Sequence, residues 1–276
     1  MNTTEAPVAP RLPVFEVIAR SYRYVWDQRR NFAVAWAMII AALTISALTR
    51  PLLIDPQYNW VPGVFNILAG IIATAFHVGV FRQILLRNST YDLGVLIWGR
   101  DWLRYLLVSC GFALICFVSF VAPLLLLGYL FSAVPQLGMA AGAFSVPPAI
   151  ACVFFICHRL ILALPAAAIG ARRPFALSWR SSEENIFRLF AVCFLAFLPS
   201  FISLVLITVR LVVSATAAQA SDAVASWQET LTGGASLPIV LAITGTWAGT
   251  VLTTSLGLSY ERLDRREAAS DAPFEA

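Results

Sequence analysis

The sequence predicts an all-α polytopic membrane protein, with six transmembrane helices and basic interfacial amphipathic helices on its cytoplasmic face. Three observations carry that prediction. Apolar residues make up 59% of the 276 positions and charged residues only 12%, with a mean hydropathy of +0.79, far from the composition of a water-soluble domain. The apolar residues gather into six runs of about twenty, the length a helix needs to cross a hydrocarbon core about 30 Å thick. The basic residues alternate between these runs. All nineteen are arginines, and sixteen fall in segments that a six-span chain returns to one side. Cytoplasmic loops concentrate positive charge, so both termini are expected in the cytoplasm.

Residues 1–13 are small, polar and proline-containing, and read as a disordered tail. A membrane domain over 14–263 follows. It opens with an amphipathic stretch in which Val14, Phe15, Ile18, Tyr22, Val25 and Trp26 share one helical face, while Arg20, Arg23, Asp27 and Arg30 lie elsewhere. A basic, aromatic-bearing helix just before a span is expected to lie in the headgroup plane. The first span covers about 32–49 and stops at Arg50-Pro51, because proline cannot continue the helical hydrogen bonding. Trp60 opens the second, 60–81, whose Gly70 and Ala73 allow close helix approach. A second basic segment, from Arg87 to Arg104, carries Trp98 and Trp102. The third span, 105–131, contains Pro123 as a kink, and a charge-free loop leads into the fourth, 148–170. Residues 172–188 form a third basic segment, read as one interfacial helix before the fifth span, 189–209. Residues 215–236 are the longest external loop. The sixth span covers 237–259, and 264–276 form a charged tail. The order of basic segment, span out and span in thus recurs three times, compatible with a duplicated hairpin.

The same inventory limits the chemistry. All fifteen carboxylates lie outside these spans, and there is no nucleotide-binding glycine loop, no H-E-x-x-H and no G-x-S-x-G. Cys110, Cys116, Cys152, Cys157 and Cys193 sit in apolar runs without ligand spacing and read as packing residues. No catalytic residue, cofactor or metal is therefore expected. The basic balance orients helices and meets lipid; no nucleic-acid recognition module accompanies it. Membrane lipids with anionic headgroups are the expected partners, and Arg159, Arg172, Arg173, Arg180 and Arg188 the candidate contacts. Arg159 stands out, because it falls inside a run. An intramembrane charge needs partners or water. One reading has it snorkelling or capping carbonyls near Pro165; the other has it facing inward, near Asn66 or His77, to hold an anion.

One segment is more specific than composition. Arg159-Leu160, Leu162-Ala163-Leu164-Pro165, Ser178-Trp179-Arg180, Asn185 and Phe187-Arg188-Leu189-Phe190 follow in order. The segment resembles the signature of bacterial six-helix proteins similar to the membrane domain of some glycerophosphoryl diester phosphodiesterases. The Tyr260-Glu261-Arg262-Leu263 end is similar to theirs. Glu184 and Phe187 depart from the pattern, where that family has glycine and tryptophan. The resemblance implies a bacterial inner-membrane protein of six helices. It implies no activity, because the phosphodiesterase chemistry belongs to a separate barrel domain. The expected function is therefore a non-enzymatic scaffold or accessory role in envelope physiology. The alternative is a transporter or channel subunit for a small or lipid-like anionic solute.

Overall fold

The computed structural model describes residues 11–49, 58–87, 99–132, 138–219 and 236–270. Among these the chain is helical without strands: α1 (Val14–Asp27), α2 (Arg29–Leu48), α3 (Val61–Leu85), α4 (Arg100–Ser132), α5 (Gly138–Leu160), α6 (Ala163–Ala168), α7 (Pro174–Ser181), α8 (Ile186–Gln219) and α9 (Ser236–Ser270). Six stretches are long and apolar enough to cross a membrane: Arg29–Leu48, Val61–Leu85, Arg100–Leu125, Ile150–Ala168, Ile186–Val209 and Pro238–Leu263. The chain is a multi-pass, all-α membrane protein. The Arg50-Pro51 stop, Trp98 and most of the second basic segment lie outside the described residues, as does the expected external loop from position 220 to 235.

Several boundaries differ from the sequence reading, each for a local reason. Residues 11–13 are not a free tail, because Leu12 is buried and its N–H and C=O are hydrogen-bonded to the turn before α8 and to α8. The helix that carries the fourth span begins earlier than 148, at Gly138, with Pro147 and Pro148 inside it, although its membrane-crossing stretch starts at Ile150. Its end is broken after Leu160, where Pro165 lacks the N–H that would continue the ladder through Ile161, and α6 restarts the helix. Residues 172–188 are not one helix. Arg172 and Arg173 precede the eight-residue α7, a turn follows, and Arg188 already belongs to α8. That helix continues to Gln219, into the expected loop, and α9 continues to Ser270, into the expected tail.

The residues that α1 buries against the bundle are not simply its most apolar ones. Val17, Ser21 and Val25 are buried, at spacings of four, while Phe15 (80% exposed) and Trp26 (58%) point outward. The reason is tertiary. α1 packs along α8 and α9, with Val25 meeting Ala196 and Val251, Glu16 ion-paired to Arg262, and the Tyr22 hydroxyl donating to the Leu195 carbonyl at 3.3 Å. Ser21 disposes of its hydroxyl on the Val17 carbonyl at 2.7 Å, which leaves a narrow surface for close approach.

α9 is the hub, in contact with α1, α2, α3, α6 and α8. α2 and α3 form an antiparallel hairpin. Phe32 lies edge-on to Phe76 at 5.2 Å near one end, and the Ser46 hydroxyl donates to the Pro62 carbonyl at 3.0 Å near the other. α4 and α5 form a second hairpin, attached to the rest mainly through the alanine-rich α6, whose Ala163, Ala166, Ala167 and Ala168 have no exposed surface.

Candidate functional site

The candidate arginines converge on a corner built from α5, α6, α7 and the start of α8. The corner begins where α5 ends, because the last turn of a helix leaves carbonyls without intrahelical donors. One of these is the Arg159 carbonyl. The Ser178 and Ser182 hydroxyls, one turn apart on and just after α7, donate to it at 2.8 and 3.1 Å. The Arg159 guanidinium returns the contact. Its Nη1 donates to the Trp179 carbonyl at 3.0 Å, and its Cζ lies 5.0 Å from the Trp179 ring centre and 5.4 Å from that of Phe155. Two aromatic faces and a carbonyl engage the guanidinium without a carboxylate, while its Nε is buried with no hydrogen-bond partner among the described residues. Arg159 is a clamp between α5 and α7. Its partners are neither the carbonyls near Pro165 nor Asn66 and His77.

α6 ends in a Schellman motif, with Gly170 N–H donating to the Ala167 carbonyl and Ala171 N–H to the Ala166 carbonyl. Gly170 takes φ +84° there, a conformation that costs a glycine little. The turn exposes the Gly170 and Ala171 carbonyls, and the Arg104 fork from α4 donates to both, at 2.7 Å to Gly170. Pro174 then starts α7, at a helical position that needs no N–H donor. Beyond α7, the Asn185 side-chain oxygen accepts the Leu12 N–H at 3.0 Å, and Arg188 Nη1 donates to the Leu12 carbonyl at 3.2 Å. Both backbone polar groups of Leu12 are thus held.

The five sequence candidates therefore divide. Arg159 and Arg188 are committed to backbone carbonyls. Arg172 and Arg173 are exposed and make no hydrogen bond or ion pair among the described residues; Arg180 is exposed on α7. His158 lies edge-on to Phe190 with its Nδ1 on the Phe154 carbonyl, while His77 lies against Phe76 on α3. Sequence reasoning missed Arg104, which it counted only as loop charge, and Ser182, and it named Ser178 only as part of a motif. The signal of the two serines was the Ser-x-x-x-Ser spacing of 178 and 182, which puts two hydroxyls on one side of a helix.

A second feature lies where α1 meets α8. An apolar groove of about 460 Å³ is lined by Ile18, Tyr22, Leu195, Leu198, Pro199 and Ile202. Pro199 has no N–H, so the Leu195 carbonyl one turn earlier loses its intrahelical donor. The Tyr22 hydroxyl fills that role. Burial raises the pKa of Tyr22 and pushes that of Tyr24 up to about 12. No protein-family model, curated protein or solved structure matches this chain.

Proposed function

We propose that this is a non-enzymatic integral protein of the bacterial inner membrane, acting as a scaffold or accessory component in envelope physiology. In this reading both termini and the α7 corner face the cytoplasm, and Arg172, Arg173 and Arg180 meet anionic lipid headgroups. The observation that carries it is the commitment of Arg159. Its guanidinium is engaged by Trp179 and Phe155, so the strongest sequence candidate for solute binding has a structural role. Arg172 and Arg173, in contrast, are exposed, as a headgroup contact requires. The motif shared with the phosphodiesterase-linked membrane domains supports kinship with them. In this chain its Ser178, Asn185 and Arg188 shape the corner.

Native mass spectrometry with phosphatidylglycerol and phosphatidylcholine tests the headgroup contact. The anionic lipid should bind more tightly, and Arg172→Gln with Arg173→Gln should weaken it several-fold at unchanged melting temperature. Equal binding of the two lipids would remove this part of the reading. Orientation is tested in intact cells with an impermeant thiol reagent. Ser221→Cys should be labelled and Ser181→Cys protected; the reverse pattern overturns the topology.

One observation favours the second reading, a transporter or channel subunit for a small or lipid-like anion. The fourth span is discontinuous between Leu160 and Ala163, and broken helices build many transport sites. Anion flux into vesicles carrying the purified protein, lost in Arg159→Gln while the protein stays folded, would favour it over the scaffold.

A further inference from the structure

We propose that Cys116 and Cys157 form a reversible dithiol–disulfide site, in which a lipid-soluble two-electron oxidant of the quinone class closes a staple between α4 and α5. Both carry free thiols in this structure, and their Sγ atoms lie 2.8 Å apart across the helix pair. A disulfide bond measures about 2.05 Å, so closing it asks less than about 1 Å of movement from two side chains already aimed at each other. The other three cysteines, Cys110, Cys152 and Cys193, make no such pair among the described residues.

The position gives the bond consequences. Cys116 lies sixteen residues before the end of α4 at Ser132, about 24 Å along the helix. The staple would therefore join the hairpin far from its own turn. A link beside the connection would restrain little that the connection does not already hold; this one joins the two helices well away from it. It also ties down the span with the least buried surface. Cys157 lies two residues before Arg159, so the staple adjoins the clamp that holds α7.

The surroundings select the oxidant. Both cysteines are half-buried within apolar windows, Arg100–Leu125 and Ile150–Ala168. Glutathione-type couples exchange through a thiolate in water, whereas a quinone partitions into the hydrocarbon where these side chains sit. In the reaction both S–H bonds break and one Sγ–Sγ bond forms. The two electrons and two protons released reduce the quinone to its quinol. A phosphine or dithiol reductant reverses the change.

The test uses the full chain in lipid vesicles with Cys110, Cys152 and Cys193 replaced by alanine. A short-chain ubiquinone should abolish alkylation of the two remaining thiols and yield a 116–157 cross-linked peptide lighter by two hydrogens. A phosphine should restore both thiols. The oxidised form should melt higher by on the order of 5 °C. Cys116→Ser should keep one alkylatable thiol under the same treatment. Thiols that remain alkylatable after quinone overturn the proposal, as does a cross-link formed between copies. Oxidation by glutathione disulfide as fast as by quinone overturns the assigned oxidant class. If the alanine background fails to fold, peptide mapping of the quinone-treated wild-type chain decides the question, since a bond to Cys110, Cys152 or Cys193 in place of the 116–157 bond is equally fatal.

Discussion

The sixth span and the third are both long apolar helices, yet they occupy opposite places in the bundle. In an eighteen-residue apolar stretch within Pro238–Leu263 of α9, 44% of the residues are buried inside the protein; in one within Arg100–Leu125 of α4, 6% are. Mean hydropathy runs the other way, 1.5 for the first and 2.3 for the second. In water the more apolar helix would be the core. In lipid the surroundings are already apolar, so packing and hydrogen bonds decide what goes inside. α9 is rich in small hydroxylated residues. Thr250, Thr253, Thr254 and Ser255 are buried and fold their hydroxyls onto carbonyls one turn back, at 2.8–2.9 Å. The surface left is small and nearly apolar, and Trp36 anchors to it through Nε1 on Thr250 Oγ1 at 3.0 Å. α4 instead turns Leu107, Leu114, Phe117 and Leu125 outward, each more than 60% exposed.

The largest expected effect breaks the hub side of this contrast. Phe76, 1% exposed and edge-on to Phe32, should cost about 3–5 kcal/mol as Phe76→Ala. Phe117→Ala, at a position 62% exposed, should stay within about 0.5 kcal/mol. Unfolding in mixed micelles measures both, and equal losses would dissolve the distinction between hub and periphery.

Close approach comes next. A Cβ at Gly257 would meet the Ile84 Cδ1 at 3.2 Å and the Phe81 Cδ1 at 3.4 Å, while one at Gly249 meets nothing within 4 Å. Gly257→Leu should destabilise by about 1–3 kcal/mol through overpacking. Gly249→Ala should stabilise by about 0.5–1 kcal/mol, because alanine forfeits less chain entropy in a helix. A matching sign for the two would show that α9 is not seated on α3 at Gly257.

Smaller effects sharpen the picture at α1. Tyr22→Phe should cost about 1 kcal/mol, since the Leu195 carbonyl loses its donor. In a Pro199→Ala background that cost should shrink, as residue 199 regains an N–H. A double-mutant cycle with no coupling would disprove the substitution of one donor for the other. The last effect is on alkaline stability. Tyr24 in the folded chain is pushed up to about 12 from its ordinary value of 10, so the unfolded chain loses its phenolic proton first. Stability should fall as pH rises from about 10 towards 12, and Tyr24→Phe should flatten that slope.

Helix existence was legible from run length, and the break at Pro165 had its residue in plain view. The clamp was not. Arg159 read either as a snorkelling residue or one capping carbonyls near Pro165, or as an inward-facing anion ligand, because a sequence hides which backbone carbonyl and which ring faces a side chain will meet. The face of α1 that meets the bundle was hidden for a related reason. A helical wheel ranks positions by hydropathy, which favours Phe15 and Trp26. Packing against α8 and α9 instead selected the slender Val17, Ser21 and Val25. The cysteine pair had no signal at all, since 41 positions separate residues that adjoin only once two helices lie antiparallel.

By itself, then, the sequence determined that this chain enters a membrane six times, because about twenty apolar residues in a row satisfy lipid whatever their neighbours are. It also determined how unevenly the arginines divide among the segments that join the spans, since a charge is costly in hydrocarbon. Which helix became the hub, which serines met Arg159 and which thiols met each other were decided only by the tertiary structure. Those outcomes depend on pairwise geometry between helices, and in lipid no hydrophobic driving force ranks the alternatives in advance.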